Sequence, residues 1–144
     1  MTPVGRMPAM SLAVVGVDYP NKDGSDRRFE IVLCGIGEPV ELRPEPKNKH
    51  DKYATAVISC RGVQIGYITA ERAPRISQLI RDGRELRAVF QMQAQFGAWI
   101  RVAFDGEVPE LTEAMMPEDG RVAGEFADPE PNFYPDEVWP EDGM

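Results

Sequence analysis

Apolar and polar residues alternate in short runs along residues 11–104, and this pattern predicts a β-rich domain. The alternation is clear over residues 28–33 and 40–43, and it continues over residues 54–60 and 63–68. A period of two residues is typical of strands that bury one face. The pattern therefore predicts four neighbouring antiparallel strands in this part of the chain.

One amphipathic helix is predicted to follow these strands. Thr69 is a candidate N-cap, and Gly83 is a candidate C′ residue that ends the helix. Between them an apolar stripe with helical spacing consists of Ala73, Ile76, Leu79 and Ile80. Two further strands are predicted over residues 85–93 and 98–104.

The last predicted strand has two faces of different character. Ile100, Val102 and Phe104 share the face predicted to meet the core, which leaves Trp99 and Arg101 on the other face. An outward Trp beside an Arg is a candidate binding surface. The alternative is that Trp99 lies beneath the C-terminal segment.

Six or seven short strands with one helix after the fifth strand predict a mainly β fold, a small barrel of the OB-like or SH3-like kind. We expect residues 1–10 to be a flexible lead-in and residues 11–105 to form the barrel domain. Residues 106–144 are rich in acids and proline and have no sustained period, so we expect a largely extended or disordered tail. A short helical turn within residues 111–116 is expected to pack on the barrel.

The formal charge of −8 is unevenly distributed along the chain. Residues 11–105 carry 14 Lys and Arg against 12 Asp and Glu, whereas residues 106–144 carry one Arg against 12 acids. The acidity of the whole chain is therefore a property of the tail. Because the predicted barrel is mildly basic, its charge does not exclude binding to nucleic acid.

The cysteine and histidine content limits the other classes of site. Cys34 and Cys60 are expected to be buried free thiols in a reducing compartment, with a disulfide as the alternative. His50 is the one histidine, and the spacing of ligating residues predicts neither a metal site nor a cofactor. No apolar run approaches the roughly 20 residues that a membrane span needs, so we expect a soluble, cytoplasmic protein.

The segment between the second and third predicted strands carries most of the candidate chemistry. It has the pattern Asn48-x-x-Asp51-x-x-Ala54 and includes His50. Three lysines stand among these residues, namely Lys47, Lys49 and Lys52. Such a loop can recognise a small polar group while the flanking strands fix its geometry. The alternative is a structural loop, in which Asn48 and Asp51 bond to their own backbone.

Several motifs of the chain occur in one order and together resemble the HIRAN domain family. The matching stretch runs from about residue 14 to residue 104. The motifs are Val14-Val15-Gly16 followed by Tyr19, the Leu42-x-x-Glu45-Pro46-x-Asn48-x-x-Asp51-x-x-Ala54 block, the Val63-x-Ile65-Gly66-Tyr67-Ile68 strand, and Glu71-x-Ala73 at the helix start. This family includes free-standing bacterial and phage modules and the first domain of certain SWI/SNF-type fork-remodelling helicases.

The resemblance implies a modified OB barrel that captures the 3′ end of single-stranded DNA without catalysis, as an adaptor in replication or repair. It makes Tyr19, His50 and Trp99 the candidates to stack on bases. Asn48 and Asp51 are the candidates to meet the 3′-hydroxyl. A carboxylate suits that role because it accepts a hydrogen bond from a free hydroxyl and repels a phosphate.

Two positions of this chain depart from the DNA-binding members of the family. Asp18 stands where those members carry an arginine, and Ala70 stands where they carry a lysine near the helix start. Because phosphate contacts supply much of the affinity for nucleic acid, both changes are expected to weaken binding. The candidates to compensate are Lys47, Lys49, Lys52, Arg72, Arg75 and Arg101. Tyr67 is a further candidate, with a half-buried barrel aromatic as the alternative.

Two other functional hypotheses remain open from the sequence. The first is a protein interaction module without DNA binding, in which the tail aromatics Phe133, Tyr134 and Trp139 contact a partner. The second is a regulatory one, in which the acidic tail competes with DNA for the barrel. Catalysis is not expected, because His50 next to Asp51 lacks a nucleophile and an orienting group.

Overall fold

Six antiparallel strands close into a barrel in a computed structural model that describes residues 7–122, 124, 126–129 and 131. The strands are β1 (Met10–Val15), β2 (Pro39–Pro44), β3 (Thr55–Ile58), β4 (Gln64–Ile68), β5 (Leu86–Ala94) and β6 (Gly97–Phe104). Their order around the barrel is β1-β4-β3-β2-β5-β6. Helix α1 (Arg27–Leu33) follows β1, and helix α2 (Ala73–Arg81) follows β4. The prediction of a small, mainly β barrel is confirmed.

The barrel interior is filled by the apolar side chains that alternate along the strands. Leu12, Val57, Ile65 and Ile100 belong to this core, together with the buried face of α2. Because the barrel is closed, each of the six described strands pairs with a neighbour on both sides. This closure gives the loops at the strand ends a rigid base.

The predicted helix is present, although it follows the fourth strand and not the fifth. Its first turn begins at Ala73 with Pro74 in the first positions, where a missing N–H is tolerated. The N-cap position is Arg72, so the prediction of Thr69 was wrong. The Thr69 carbonyl instead accepts hydrogen bonds from the amides of Arg72 and Ala73, which forms a turn before the helix. Gly83 follows the C-cap with φ +82°, as predicted.

Residues 28–33 form helix α1, so the prediction of a strand there was wrong. Asp26 caps this helix, because its carboxylate accepts a hydrogen bond from the Phe29 amide. The helix turns Arg27, Glu30 and Ile31 inward, which is an i, i+3, i+4 stripe with two charged members. The alternating apolar residues therefore did not mark a buried strand face, because this helix buries charge and exposes apolar groups.

An apolar stripe runs over the outward face of α1 and the turn that follows it; this α1 stripe consists of Phe29, Val32, Leu33 and Ile36. These four side chains are 64%, 61%, 49% and 63% exposed. Among the described residues six large apolar side chains are exposed, and four of them are in this α1 stripe. Exposed apolar residues that are gathered on one face indicate a contact surface more often than scattered ones do.

Two glycines permit the close approach of three strands at the end of β1. Gly66 on β4 and Gly97 on β6 both have φ +155°. A Cβ atom would lie 2.4 Å from the Val15 carbonyl oxygen at Gly66 and 2.3 Å from the Val14 carbonyl oxygen at Gly97. Both distances are far below van der Waals contact, so a larger residue would push β1 outward. The chain leaves this tight junction at Gly16, whose φ is +74°.

The described part of the C-terminal segment packs along the outer wall of the barrel. A 3₁₀ turn, Glu113–Met115, lies within the predicted helical turn, and the Met115 carbonyl accepts a hydrogen bond from the Gln91 side chain at 2.6 Å. Further along, Ala127 forms a parallel bridge with Ser11 of β1. We define the tail-covered wall as the outer face of β1, β5 and β6 beneath residues 113–128.

Candidate nucleic-acid interface

An open cleft of about 260 Å³ lies at the end of β1, where the chain passes into α1. We call it the Tyr19 cleft, and it is lined by Val17, Asp18, Tyr19, Pro20, Gly24, Asp26, Arg27 and Arg28. Tyr19 is half-exposed in this cleft, so its ring is accessible to a ligand. The cleft is formed by local turns that are too short to build a core of their own.

Arg27 fixes the shape of the Tyr19 cleft from below. Its side chain is 2% exposed, and it donates hydrogen bonds to the Gly16 carbonyl at 2.8 Å and to the Asn21 side chain at 2.7 Å. Its guanidinium also lies 5.6 Å from the centre of the Tyr67 ring, which is within the range of a cation–π contact. A buried arginine with these partners is a structural element of the cleft and not a free cation.

Tyr67 links the Tyr19 cleft to the loop between β2 and β3, residues 45–54. Its ring contacts Arg27 on one side, and its hydroxyl donates a hydrogen bond to Glu45 at 2.9 Å. Because Tyr67 is 7% exposed, it positions both loops and does not present a surface for stacking. Burial raises the pKa of Tyr67 to about 12, so the hydroxyl stays protonated as a donor. The prediction that it contacts DNA directly is not supported by this burial.

Asn48 shapes the loop of residues 45–54 from within. Its side-chain oxygen accepts hydrogen bonds from the amides of His50 at 2.8 Å and Asp51 at 3.1 Å. Its side-chain nitrogen donates to Glu45 at 3.1 Å. These contacts match the structural alternative that the sequence left open, because the amide group holds the loop closed. A second hydrogen on the nitrogen is still available for a ligand.

Asp51 stands at the rim of the same loop and is half-buried. One carboxylate oxygen accepts a hydrogen bond from the Tyr53 amide at 2.8 Å, and the Asp51 carbonyl accepts one from Ala54 at 3.0 Å. An ionised carboxylate has about four acceptor positions, so the Tyr53 contact orients the group without saturating it. The loop therefore presents an oriented carboxylate beside exposed cations.

The lysines and the histidine that the sequence placed near Asp51 are at the surface. Lys47, Lys49 and His50 are exposed on the loop of residues 45–54. Tyr53 was not among the predicted site residues, and its ring centre lies 5.2 Å from the Lys52 ammonium and 5.8 Å from the Arg81 guanidinium. A signal was available, because Tyr53 follows the lysine-rich run directly. The loop edge, which we define as this loop together with the Tyr19 cleft, therefore combines carboxylate, cation and aromatic groups.

Trp99 is buried in the tail-covered wall, so its prediction as an exposed stacking residue was wrong. It is fully buried, and its indole nitrogen donates a hydrogen bond to the Gly120 carbonyl at 2.9 Å. It packs edge to face on Phe96, with the ring centres 5.3 Å apart, and shares a cluster with Val122. The alternative that Trp99 lies beneath the tail is the one the structure supports. Its apolar surface supports packing and leaves no face for a base.

Arg101 and Arg72 are also occupied on the tail-covered wall. Arg101 donates hydrogen bonds to the Ser11 hydroxyl at 2.9 Å and to the Phe126 carbonyl at 3.5 Å, and burial lowers its pKa. Arg72 pairs with Asp128 at 2.5 Å. Both arginines are thus bonded to residues of the tail-covered wall, and their role as phosphate contacts stays a prediction.

Asp128 is the anchor of the tail segment on this wall. It is 3% exposed, and its second carboxylate oxygen accepts a hydrogen bond from the Ala13 amide at 2.8 Å. On either side, the Ser11 amide donates to Phe126 and the Asp128 amide donates to Ser11. Burial raises the pKa of Asp128 in spite of its contacts with Ala13 and Arg72. The predicted partner residues Phe133, Tyr134 and Trp139 lie outside the described residues.

Asp18 stands at a position of the Tyr19 cleft where the family resemblance implies an arginine. A different arginine, Arg28, lies beside it. Arg28, from the first turn of α1, forms a salt bridge with Asp18 and donates a hydrogen bond to the Gln95 carbonyl at 3.2 Å. The side chains of Arg28 and Asp18 are 43% and 66% exposed. The rim of the cleft therefore carries a positive group in spite of the substitution. Ala70 is exposed.

The two thiols are free, and one of them is exposed, which corrects the expectation that both are buried. Burial raises the pKa of Cys34 to about 11, so its thiol is protonated near neutral pH. Within residues 7–122 and the described positions after them, His, Cys, Asp and Glu do not gather in a group that could hold a metal ion. None of the helices described there has the length and apolar character of a membrane span.

Comparison with known proteins identifies the family. A solved HIRAN domain, that of human HLTF, is 21% identical with a TM-score of 0.55 and covers 67% of this chain and 74% of that one. A protein from Lactobacillus plantarum is 19% identical with a TM-score of 0.52 and covers 68% of this chain and 94% of its own. A search of curated protein sequences returned no match. The sequence profile of the HIRAN domain matches residues 9–105, so the chain belongs to the HIRAN domain family.

Proposed function

We propose that this protein is a single-stranded DNA-binding module that recognises a 3′-hydroxyl end at the loop edge. Membership of the HIRAN family supports this proposal, since the resemblance implies that mode of binding. The observation that carries it is the contact chain from Arg27 through Tyr67 to Glu45. This chain joins the element that carries the Tyr19 cleft to the loop that carries Asp51, and in the proposed function one ligand contacts both.

The chemistry of the loop edge fits the end of a strand. A terminal base stacks on the half-exposed ring of Tyr19, since every base has a face that an aromatic group accepts. Lys47 and Lys49 lie within a loop that also holds Asp51, so phosphates are attracted on one side of the carboxylate. At Asp51 itself, a hydroxyl donates a hydrogen bond whereas a phosphate is repelled. The end of the strand is thereby distinguished from its interior.

The module acts without catalysis in this proposal, as an adaptor in DNA replication or repair. The loop edge has acceptors and cations but no activated nucleophile with an orienting base beside it among the described residues. Such a site binds and positions a strand. The alternative, a protein interaction module that uses Phe133, Tyr134 and Trp139, depends on residues outside the described part of the chain.

The acidic tail is also proposed to compete with DNA for the cations of the barrel. Arg72 already has a tail carboxylate as its partner. Residues 132–144 add four acids and no base to the chain, at the high effective concentration of a tethered ligand. A variant that ends at residue 131 tests this competition, because it keeps the segment that covers Trp99. The variant is expected to bind DNA a few-fold more tightly, and equal affinity would contradict the competition.

The proposed function is tested by fluorescence anisotropy of a labelled single strand of about ten nucleotides that carries either a 3′-hydroxyl or a 3′-phosphate. The full chain is expected to prefer the hydroxyl strand, and Asp51→Ala is expected to lose that preference. Asp119→Ala is a matched control, since Asp119 accepts a hydrogen bond from the amide of Arg121 two residues later, as Asp51 does from Tyr53.

Three outcomes are informative. A preference for the hydroxyl strand that Asp51→Ala removes and Asp119→Ala keeps would support end recognition. Binding without any preference for the strand end would leave a DNA-binding module and contradict the role of Asp51. Failure of the full chain and of the variant ending at residue 131 to bind either strand at low salt would overturn the proposed function.

A further inference from the structure

Arg28 and Phe29 are consecutive residues in the first turn of α1, and Arg28 lines the Tyr19 cleft. Arg28 lines the cleft and is 43% exposed, whereas its neighbour Arg27 is buried. Phe29 is 64% exposed, and the other exposed aromatic side chain among the described residues, Phe126, belongs to the tail segment. An accessible cation that lines the cleft is thus followed, about 100° around the helix, by an accessible aromatic ring.

Single-stranded nucleic acid is the ligand that this pair fits. Sites for single strands combine cations that follow the phosphates with aromatic rings on which bases stack. The α1 stripe consists of four side chains, which is few for the roughly 800 Å² per partner of a stable protein interface. Its continuity with the cleft and the charge of Arg28 both favour a strand over a second copy of the chain.

We propose that a strand held in the Tyr19 cleft continues across α1, where Arg28 binds a backbone phosphate and Phe29 stacks on a base. This inference rests on the proposed function and extends the site beyond the strand end. The nucleotides concerned are internal ones, so this part of the site contributes affinity and not recognition of the 3′-hydroxyl.

Asp18 has a positioning role in this extension of the site. It holds the Arg28 guanidinium at the rim of the cleft together with the Gln95 carbonyl. An exposed ion pair contributes little stability, so a phosphate can replace the carboxylate as the partner of Arg28. The Asp18 charge also repels the same phosphate. Asp18→Asn is therefore expected to tighten the binding of a long strand about threefold, within the weak range of exposed ion pairs.

The test measures the affinity of the full chain for strands of about four and about ten nucleotides at several salt concentrations. Arg28→Ala and Phe29→Ala are each expected to weaken binding of the long strand about tenfold, the size of one stacking contact or charged contact. Binding of the short strand is expected to be unchanged by Phe29→Ala, since Phe29 is not among the residues that line the cleft, and to be weakened by Arg28→Ala, since Arg28 lines it. Arg28→Ala is also expected to reduce the slope of log K against log salt by about 0.7, the value for one phosphate on a single strand.

The controls are matched to each variant. Arg43→Ala removes an arginine of a similar exposed pair, Arg43 with Glu41, which lies on strand β2 and not on α1. Val108→Ala removes an exposed apolar group that lies outside α1. Both are expected to leave the affinity unchanged. Arg28→Lys keeps the charge and is expected to restore the salt slope that Arg28→Ala loses.

The outcomes separate this inference from the proposed function. If the short and long strands bind equally well, or if Arg28→Ala leaves the salt slope unchanged, the extension across α1 is contradicted. The proposed binding of a strand end in the Tyr19 cleft is not affected by that result. If neither strand binds, the proposed function itself fails. If Phe29→Ala changes the sedimentation of the protein alone and not its DNA affinity, the α1 stripe is a protein contact and the inference is overturned.

Discussion

The loop edge and the tail-covered wall each carry an aromatic side chain and an arginine, yet these side chains are accessible on the first surface and covered on the second. On the loop edge Tyr19 is half-exposed and Arg28 retains an accessible side chain. On the tail-covered wall Trp99 is fully buried, and Arg101 and Arg72 have partners in the tail segment. A residue that points away from a barrel core is available to a ligand only where no later segment covers it.

The largest expected difference between the two regions concerns stability. Trp99→Ala leaves a large cavity between the barrel and the tail segment, so it is expected to lower the free energy of unfolding by about 3–5 kcal/mol. Phe29→Ala, an aromatic deletion on the exposed α1 stripe, is expected to change that energy by less than about 0.5 kcal/mol. Urea unfolding of the two variants measures the contrast. Equal effects would show that Trp99 is not buried as described.

The attachment of the tail segment is expected to depend on Asp128. Asp128→Ala removes the acceptor of the Ala13 amide and the Arg72 guanidinium, and it is expected to cost about 2 kcal/mol of stability. The variant is also expected to speed hydrogen exchange at the amides of Ser11 and Ala13, which bond to residues 126 and 128. Asp119→Ala is the control. Unchanged exchange at both amides would contradict the anchoring role.

The opposite response is expected on the loop edge. Tyr19→Ala removes a half-exposed ring, so it is expected to change stability by less than about 1 kcal/mol. It is expected to weaken binding of single-stranded DNA about tenfold, the size of one stacking contact. Tyr19→Phe keeps the ring and is expected to bind like the unmodified protein. A loss of affinity in Tyr19→Phe would assign the effect to the hydroxyl and not to stacking.

A further expected effect is a loss of stability that appears only at alkaline pH. The folded protein raises the pKa of Tyr67 to about 12 from an ordinary value near 10, so the unfolded chain loses this proton first. Stability is therefore complete below about pH 10 and declines between about pH 10 and pH 12. Tyr67→Phe is expected to reduce the decline seen in urea midpoints. Because the pKa of Cys34 is also raised, both proteins in this comparison carry Cys34→Ser.

The fold was predictable from the sequence where apolar residues faced the core. This held for β2 to β6 and for α2, whose stripes follow the expected periods. It failed at α1, because Glu30 is buried through its contacts with Ser59 and Arg61 while Phe29 faces outward. A signal for this helix was available in the sequence, because Asp26 is a good N-cap residue and stands directly before Arg27, Glu30 and Ile31, which have helical spacing. A periodicity of hydrophobic residues cannot identify a helix whose buried face carries paired charges.

The candidate site was predictable in part for a related reason. The Asn48 to Ala54 loop was located correctly, since its side chains act within a few residues of one another. The burial of Trp99 by Gly120 and Val122 and the pairing of Arg72 with Asp128 depend on contacts that are distant in sequence. Local patterns contain no information on which surface a long irregular segment will cover.

The bridge between Ser11 and Ala127 has a consequence for engineering. It places the first strand of the barrel beside residues 126–128, so the two ends of the module lie close together. Modules with adjacent ends tolerate insertion into the loops of other proteins. Residues 10–131 are thus suited to transfer as a cassette into a host loop, without a linker to span the barrel.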